Sequence, residues 1–387
     1  MNESKSLIES FSIIRDPRVN RQKKHNLIDV IIVAICGVIS GCDGWVDVEE
    51  YGNTKYDWFK TFLELPNGIP SHDTFGRIFS IIDPIKFQEA FYDWIQSFVQ
   101  LKEGEVIALD GKYIKASYRE PGRARSIIGM VSAWASEAGV VLAQKRASFD
   151  KKNTEKVVYS ELIDLLKING CIITMDAYGC HAKLTNQIVS KDADFIVGLK
   201  DNQRALKTSI KREFEKIEGM NVFETKNSGH GRKEIRTCSS FALDDTFLTR
   251  LNAKCRKRSQ VPWNGLKTAI KIVSQRAIGD KKSVEERFYI SSYPADSEKL
   301  LSSIRSHWHV ENKLHWTLDV AFNEDRCRVT KGYAPENFAV LRQLSLNLLK
   351  KEKTSKRSIK GKRLKSAWDN NYLLAVISGM ERPNVKD

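Results

Sequence analysis

Short apolar runs rich in β-branched residues alternate with segments of helical periodicity between residues 103 and 218, and this order restricts the fold more than any other feature. The first three runs have the length and alternation of strands, and the turn-forming triplet EAG joins the second to the third. A helix, a strand, a helix, a strand and a helix are expected to follow. The segments in chain order are EVIALD, SIIGMVSAWAS, VVLAQKRASF, TEKVVYSELIDLLKI, CIITMDA, HAKLTNQIVSKD, DFIVGLK and QRALKTSIKREFEKI.

This order predicts an α/β fold in which a mixed sheet is flanked by helices, the arrangement of a ribonuclease-H-like domain. The first and fourth strands of such a sheet are neighbours. Asp110 is expected to close the first strand and Asp176 the fourth, so the two carboxylates should lie side by side. Each aspartate alone could be a turn former, but their common setting within one α/β unit favours a shared site.

A third acid, Glu311, lies in the helix-like segment SEKLLSSIRSHWHVENKLHWTLDVAF. Polar residues spaced by four should share one face of that helix: His307, Glu311, His315 and Asp319. The stripe would span about 18 Å, so one metal site cannot touch all of it, and Glu311 near the middle is the best ligand. A solvated helix face is the alternative, although the flanking Trp308 and Trp316 are expected to pack and reduce exposure.

The distance along the chain from Asp176 to Glu311 is 311 − 176 = 135 residues, too long for a simple strand-to-helix connection. Residues 219–293 contain strand-like runs with basic residues at alternating positions, namely HGRKEIRTCSSFAL, GLKTAIKIVSQRAI and ERFYISSY. We therefore expect a β-rich insertion before the helix that carries Glu311.

Five units are predicted along the chain. Residues 1–102 form an N-terminal helical block that could bind DNA, and residues 103–218 form the first part of the α/β domain. Residues 219–293 are the β-rich insertion, residues 294–353 complete the α/β domain with the helix that carries Glu311, and residues 354–387 are a basic C-terminal tail.

Within the helical block, Ser71 is the expected N-cap of a helix over SHDTFGRIFSII. Arg77 and Lys55 are candidates for phosphate contacts. A helical bundle that only packs on the next domain is an equal alternative.

Charge and cysteine usage narrow the class of protein. Lys and Arg number 63 against 48 Asp and Glu, a net charge of +15, which is expected of a protein that binds nucleic acid, although a merely basic soluble protein would look the same. The seven cysteines form no CxxC pair, so neither a disulfide framework nor a Cys-rich zinc site is indicated. The apolar run 27–41 is short for a membrane span and contains Asp29. We expect a cytoplasmic protein without a membrane segment.

Three acids held together in so basic a chain would most simply bind divalent metal. Two Mg²⁺ ions, for which Mn²⁺ can substitute, clamp the attacking and leaving oxygens of a phosphodiester during in-line displacement. Metal-dependent DNA chemistry at Asp110, Asp176 and Glu311 is therefore the leading hypothesis.

Basic, amide and aromatic residues in several motifs are candidates for contact with DNA. The alternatives are a capped turn for LKDNQ, a salt-bridged exposed strand for HGRKEIR and core packing for the tryptophan beside Pro262, which looks exposed and could stack on a base. The candidates are Lys112, Lys200, Asn202, Gln203, His230, Arg232, Arg236, Trp263, Arg305, His307 and His315.

The motifs together resemble the cut-and-paste insertion-sequence transposases with an Asp-Asp-Glu triad, and most closely the H-repeat-associated subgroup. The likeness runs over nearly the whole chain. It is carried by ICGVISGCDGWVDVEEYG, NGIPSHDTFGRIFS, IALDGK, ITMDAYGC, LKDNQ, HGRKEIR, YISS and IRSHWHVENKLHWTLDVAFNEDRCR.

The resemblance implies a ribonuclease-H-like core in which Asp110, Asp176 and Glu311 bind two Mg²⁺ ions. It implies that water nicks a transposon end and that the freed 3′-hydroxyl then attacks target DNA, without a covalent protein–DNA intermediate. It further implies double-stranded DNA partners, namely terminal inverted repeats and target, and a homodimer or higher oligomer on the DNA ends.

Some positions depart from the family pattern. The wider class has Arg four residues before the glutamate and Lys seven after it, where this chain has His307 and Leu318. Asp201 stands where the subgroup usually has Gly, and KKNTE replaces KSNE. An intact triad is necessary for activity and not sufficient, so a non-catalytic DNA-binding descendant and a nuclease without strand transfer are the competing hypotheses.

Overall fold

A nine-stranded mixed sheet forms the centre of the molecule in the computed structural model, which describes residues 6–19, 23–114, 128–147, 154–229 and 231–378. The strand order is β3-β2-β1-β4-β5-β9-β8-β7-β6. The strands are β1 (Val106–Ile114), β2 (Ile128–Ala135), β3 (Val140–Ala147), β4 (Ile172–Met175), β5 (Asp194–Leu199), β6 (Asn221–Gly229), β7 (Arg232–Ala242), β8 (Thr268–Ile278) and β9 (Lys281–Ser291).

The predicted adjacency of the first and fourth strands is confirmed. β1 pairs antiparallel with β2 and parallel with β4, and β4 pairs parallel with β5. The expectation that β1 ends at Asp110 is wrong, because the strand continues to Ile114 by pairing with β2 as far as Ile128. Its pairing with β4 stops at Leu109 opposite Met175. Asp110 therefore lies where the two parallel strands separate.

The segment 219–293 continues this same sheet. β5 pairs antiparallel with β9, and β9, β8, β7 and β6 form an antiparallel meander. β6 and the helix Asp245–Lys257 in this segment were not predicted from the sequence. Because the meander and the β1–β5 strands share one sheet, the meander has a fixed position relative to Asp110 and Asp176.

Fifteen α-helices lie among the described residues and surround the sheet. They are α1 (Leu7–Ser12), α2 (Leu27–Ile39), α3 (Trp45–Thr54), α4 (Tyr56–Phe59), α5 (His72–Ile81), α6 (Pro84–Gln96), α7 (Thr154–Leu165), α8 (Ala182–Val189), α9 (Arg204–Phe214), α10 (Asp245–Lys257), α11 (Ser297–His307), α12 (Trp316–Phe322), α13 (Ala334–Lys351), α14 (Ile359–Trp368) and α15 (Asn370–Ser378).

Alternating residues of the strands face two different sets of helices, as the two-residue period of a strand requires. Val106 and Ile172 pack with Leu300 and Ile304 of α11 on one face. The next residues in each strand face the other side, where α6, α7 and α13 cover the sheet. The sheet is thus buried on both faces around the ends of β1 and β4.

The N-terminal helices share one hydrophobic core with the sheet. α2, α5 and α6 all pack against the long helix α13, which also contacts β3. Ser71 is the N-cap of α5, since its Oγ accepts the Thr74 N–H at 3.4 Å, as predicted. α2 is a buried interior helix, as expected, and within the described ranges no helix is long and apolar enough to cross a membrane.

Candidate active site

Asp110, Asp176 and Glu311 line one cavity of about 450 Å³ beside the ends of β1 and β4. The side chain of Asp110 is 22% exposed, whereas Asp176 and Glu311 are exposed residues. The structure therefore brings the three sequence-predicted acids to one opening that solvent and a ligand can reach.

Strand pairing explains the positions of the two aspartates. Leu109 lies opposite Met175 in the last pair of the β1–β4 ladder, so Asp110 and Asp176 are the next residues on neighbouring parallel strands. Asp176 then begins a tight turn over Ala177–Gly179, because its Oδ1 accepts the Tyr178 N–H at 2.8 Å.

Two side chains after β5 hold that turn in place. Asn202 Nδ2 donates to the Ala177 carbonyl at 2.6 Å, and Gln203 Nε2 donates to the Cys180 carbonyl at 3.0 Å. Both amides thus satisfy backbone groups beside Asp176. The sequence left phosphate contact and turn capping open for these two residues, and their observed contacts are those of a turn.

The element that carries Glu311 is not one regular helix. α11 ends at His307, a π-helical segment spans Val310–His315, and α12 follows. The expectation of a continuous α-helix is therefore wrong. A π-helical turn is wider than an α-helical one and is found mostly at functional sites.

The polar stripe of this element faces β1 and β4. His307 Nδ1 lies 3.0 Å from Thr174 Oγ1 on β4, and His315 Nδ1 lies 3.7 Å from Asp110 Oδ2 on β1. Glu311 comes midway between these two histidines in sequence. The contacts on either side of Glu311 therefore hold it at the cavity.

Both histidines are neutral at physiological pH. Burial lowers the pKa of His307 to about 4, although the nearby charge of Asp176 opposes the shift. Burial lowers the pKa of His315 to about 4 as well, and the charge of Lys112 adds to it. A neutral imidazole can hydrogen-bond beside the acids without adding positive charge to the site.

Lys112 points away from the cavity into a cluster of acids. Its ammonium forms ion pairs with Asp319, with Glu324 at 2.8 Å and with Asp325 at 3.8 Å, and its side chain is 12% exposed. Burial alone would lower the pKa of Lys112, but the charges of Glu324 and Asp319 raise it above its ordinary value. Lys112 therefore remains charged and ties β1 to α12 and the segment after it.

The tryptophans that flank the stripe are not packed as expected. Trp308 is 40% exposed and Trp316 is 61% exposed, so the expectation of burial is wrong. α12 buries Leu318 and Phe322, which directs Trp316 outwards. Trp308 lines the cavity, where the guanidinium of Arg287 lies 5.1 Å from its ring centre.

Three cations line the same cavity as the acids, together with Glu285 and Glu286. The cations are Lys200, Lys207 and Arg287, of which only Lys200 was a candidate from the sequence. The pairing of β5 with β9 brings Arg287 to this edge, since Leu199 lies opposite Phe288. No local pattern around Arg287 reveals that long-range pairing.

Three further candidates for DNA contact do not line the cavity, namely Arg232, Arg236 and Arg305. Arg232 and Arg236 pair with the buried Glu234 at 3.6 and 2.6 Å, which matches the alternative of a salt-bridged strand. Arg305 is exposed on α11, and His230 lies outside the described residues.

Trp263 is 6% exposed, which matches core packing, the default expectation for this residue, and does not support base stacking. Its backbone N–H donates to Asn252 Oδ1 at 2.8 Å, and Asn252 belongs to the unpredicted helix α10.

The donor atoms suit Mg²⁺, which prefers carboxylate oxygens. In the part of the chain that the structure describes, however, no three His, Cys, Asp or Glu side chains are close enough together to hold an ion. The type of ligand therefore fits a magnesium site, but the three acids do not form a three-ligand cluster in this conformation.

Family models match most of the chain. The model described as "Transposase DDE domain" matches residues 101–348, and "DDE_Tnp_1-associated" matches residues 8–95. The chain belongs to the DDE transposase family, and its relatives place it near the H-repeat-associated proteins.

Two relatives are similar over nearly their whole length. "H repeat-associated putative transposase YhhI" of Escherichia coli (strain K12) is 37% identical, covering 97% of this chain and 99% of that protein. "Putative transposase YncI" of Escherichia coli O157:H7 is 35% identical, covering 96% and 94%. Among solved structures, the piggyBac transposase synaptic complex with hairpin DNA gives a TM-score of 0.43 at 12% identity, covering 100% of this chain and 80% of that one.

Proposed function

We propose that this chain is a DDE transposase that cleaves DNA at the ends of an insertion sequence and joins the freed ends to target DNA. Asp110, Asp176 and Glu311 are its catalytic residues within a ribonuclease-H-like core. The observation that carries the proposal is that all three acids of the family motif line one cavity. Two of them follow the last paired residues of neighbouring parallel strands.

The same three carboxylates would hold divalent metal, two Mg²⁺ ions or Mn²⁺ in their place. Such ions, when bound, activate the attacking oxygen and stabilise the leaving oxygen of a phosphodiester. The three acids do not form a three-ligand cluster as they stand, so we infer that their side chains move closer together when an ion binds. The exposed Glu311 and Asp176 have room to do so.

Other side chains of the cavity suit a DNA strand. Lys200 supplies positive charge for phosphates, and Lys207 and Arg287 can exchange their exposed partners Asp201 and Glu285 for phosphate. The half-exposed ring of Trp308 offers a stacking surface for a base. The neutral His307 and His315 orient the element that carries Glu311 without repelling the metal.

The proposed partners are double-stranded DNA ends with terminal inverted repeats and a target duplex. Synapsis of two ends would require a homodimer or higher oligomer. The proposed location is the bacterial nucleoid.

The first experiment is nicking of a supercoiled plasmid that carries the flanking genomic end sequences. We expect wild-type protein to nick it with Mg²⁺ or Mn²⁺ and not with EDTA. Asp110→Ala should reduce nicking to the EDTA level, and Asp57→Ala, a matched change at an exposed aspartate of α4, should leave it unchanged. Absence of metal-dependent nicking in the wild type, or its survival in Asp110→Ala, would overturn the catalytic assignment.

A second assay separates a transposase from a nuclease or a mere DNA-binding protein. Wild-type protein is given a pre-cleaved end with a free 3′-hydroxyl together with a target plasmid. Joined products support strand transfer, nicking without joining indicates a nuclease, and binding without either indicates a non-catalytic descendant.

A further inference from the structure

A second groove, of about 650 Å³, lies away from the triad cavity. Its walls are the first turns of α3 and α5 and the chain segment 326–331, and none of the three acids of the motif lines it. The groove thus joins the N-terminal helices to the segment that follows the Glu311 element.

Four cations line this groove: Arg77, Arg326, Arg328 and Lys331. All four are exposed, and none forms an ion pair with any residue in the described ranges. Elsewhere in the molecule, the half-buried side chains of Arg236 and Lys112 are matched by acids. The groove therefore presents unmatched positive charge.

The acids in the groove wall are engaged elsewhere. Asp47 accepts the backbone N–H groups of Asp43 and Gly44, each at 3.0 Å, at the start of α3. Asp43 accepts from Asn323 at 2.5 Å and lies 3.4 Å from Arg363. Asp73, the third acid of the wall, is exposed and lies 3.7 Å from His72 Nε2. Among the described residues, none of these three carboxylates forms an ion pair with the four cations.

The wall that bears Lys331 is fixed to α5. Gly332 has φ of +53°, and a Cβ there would lie 2.5 Å from the Ser80 carbonyl oxygen. That close approach lets the Tyr333 N–H donate to the same oxygen at 3.1 Å. Asn337 Nδ2 also donates to the carbonyls of Phe79 and Ile82, at 2.9 and 3.0 Å.

The other end of the same wall is also fixed. The buried guanidinium of Arg363 donates to the Val38 carbonyl at 2.9 Å and to the Ala321 carbonyl. It therefore bridges the end of α2 to the end of α12. The backbone that carries Arg326, Arg328 and Lys331 is thus anchored on both sides, which reduces the ordering cost of binding.

We propose that this groove binds the sugar–phosphate backbone of duplex DNA at a site separate from the triad cavity. The inference rests on the proposed function only in taking DNA as the polymer. Glu324 accepts a hydrogen bond from Lys112 of β1 at 2.8 Å. Glu324 lies just before the groove wall in sequence. The wall is thereby connected to the strand that carries Asp110.

The test is binding of a labelled duplex followed by fluorescence anisotropy in EDTA, so that cleavage plays no part. A full-length variant with Arg77→Gln, Arg326→Gln, Arg328→Gln and Lys331→Gln should bind at least about tenfold more weakly. The slope of log K against log salt should fall by about 2 to 4, since each lost phosphate contact removes about 0.9.

The matched control removes the same net charge elsewhere, at the exposed residues Lys60, Lys254, Lys257 and Lys281. We expect a smaller loss of affinity in this control than in the groove variant. Equal losses in the two variants, an unchanged salt slope, or preference for duplex RNA of the same sequence would overturn the proposal.

Two further variants test whether a loss of DNA binding is specific to the cations of the groove. If the fourfold variant does not fold, Arg328→Glu alone should still weaken binding, with an unchanged melting temperature. Asp57→Asn, at an exposed aspartate of α4 outside both sites, should bind the duplex as the wild type does. A failure of the groove proposal thus appears in binding without metal, whereas a failure of the proposed function appears in nicking.

Discussion

At the scale of single residues, the local sequence identifies acids better than it identifies their surroundings. Asp110 and Asp176 were predictable because each ends an apolar β-prone run, and such runs pair in parallel in this order of elements. The partners of Lys112 were not predictable, because they lie more than 200 residues away and are reached only through the fold. Trp263 looked exposed beside Pro262 for the same reason.

The ion pairs of Lys112 lead to a stability prediction. Lys112→Met removes a buried cation and leaves Glu324, itself 2% exposed, without its counter-charge. Breaking a buried ion pair from one side costs about 3 to 5 kcal/mol of unfolding free energy. Urea denaturation measures the loss, and Lys112→Arg, which keeps the charge, should lose much less. A cost below about 1 kcal/mol for Lys112→Met would show that the cluster is solvated.

At the scale of elements, the sequence predicts the regular strands and helices, and it does not predict the irregular segments. The strands and helices from β1 to α9 follow their sequence patterns. The π-helical segment around Glu311 was missed because a regular spacing of four also fits an α-helix. β6 was missed because its residues are mostly exposed and polar, so no alternation marks it.

A signal for α10 is present in the sequence. Asp244 is its N-cap and accepts the Phe247 N–H at 2.6 Å. Phe247, Leu248, Leu251 and Cys255 then follow at helical spacing. The basic C-terminal segment likewise looked like a tail, yet it contains α14 and α15, which pack on α12 and α13.

The contacts that hold α14 and α15 in place predict that the free energy of unfolding depends on pH. Burial would raise the pKa of Glu352, but hydrogen bonds from Thr354 and Tyr372 and the charge of Lys362 lower it to about 2. The Tyr372 hydroxyl donates at 2.7 Å and Lys362 Nζ lies 3.3 Å away. Because the folded pKa is below the unfolded value, the stabilisation is complete above pH 4.5 and is lost as the pH falls towards 2.

The measurement is the unfolding free energy of wild type and Glu352→Gln between pH 7 and pH 2.5. The wild type should exceed the variant by roughly 3 kcal/mol at neutral pH, and the difference should shrink across the acid range. Lys360→Gln, a change at an exposed lysine of helix α14, should leave the wild-type pH profile intact. A difference that stays constant with pH would contradict this account of Glu352.

At the scale of the whole molecule, the central sheet and helix α13 join segments that the sequence predicts as separate units. The meander of β6–β9 extends the sheet that carries Asp110 and Asp176, and α13 packs on both the N-terminal helices and β3. The β-rich character of residues 219–293 could be foreseen. Its edge-to-edge pairing with β5 could not, because strand order depends on contacts distant in sequence. The five predicted boundaries remain predictions.

The net charge also has a spatial pattern that composition alone conceals. Lys200, Lys207 and Arg287 line the triad cavity, and four further cations line the groove beside the N-terminal helices. The segment from Glu311 to Lys331 carries residues of both sites. A duplex that contacts the groove could thus be positioned relative to the cavity by one stretch of chain.

The most direct test of the central claim, that the acids form one catalytic unit, is a double-variant cycle in the strand-joining assay. Asp110→Asn, Asp176→Asn and the double variant are compared on a pre-cleaved end with Mg²⁺. Residues that act as a unit are non-additive, so each single variant should lose about 10³-fold or more and the double variant little further. Losses that multiply in the double variant, or a single variant that keeps more than about a tenth of wild-type joining, would contradict the account.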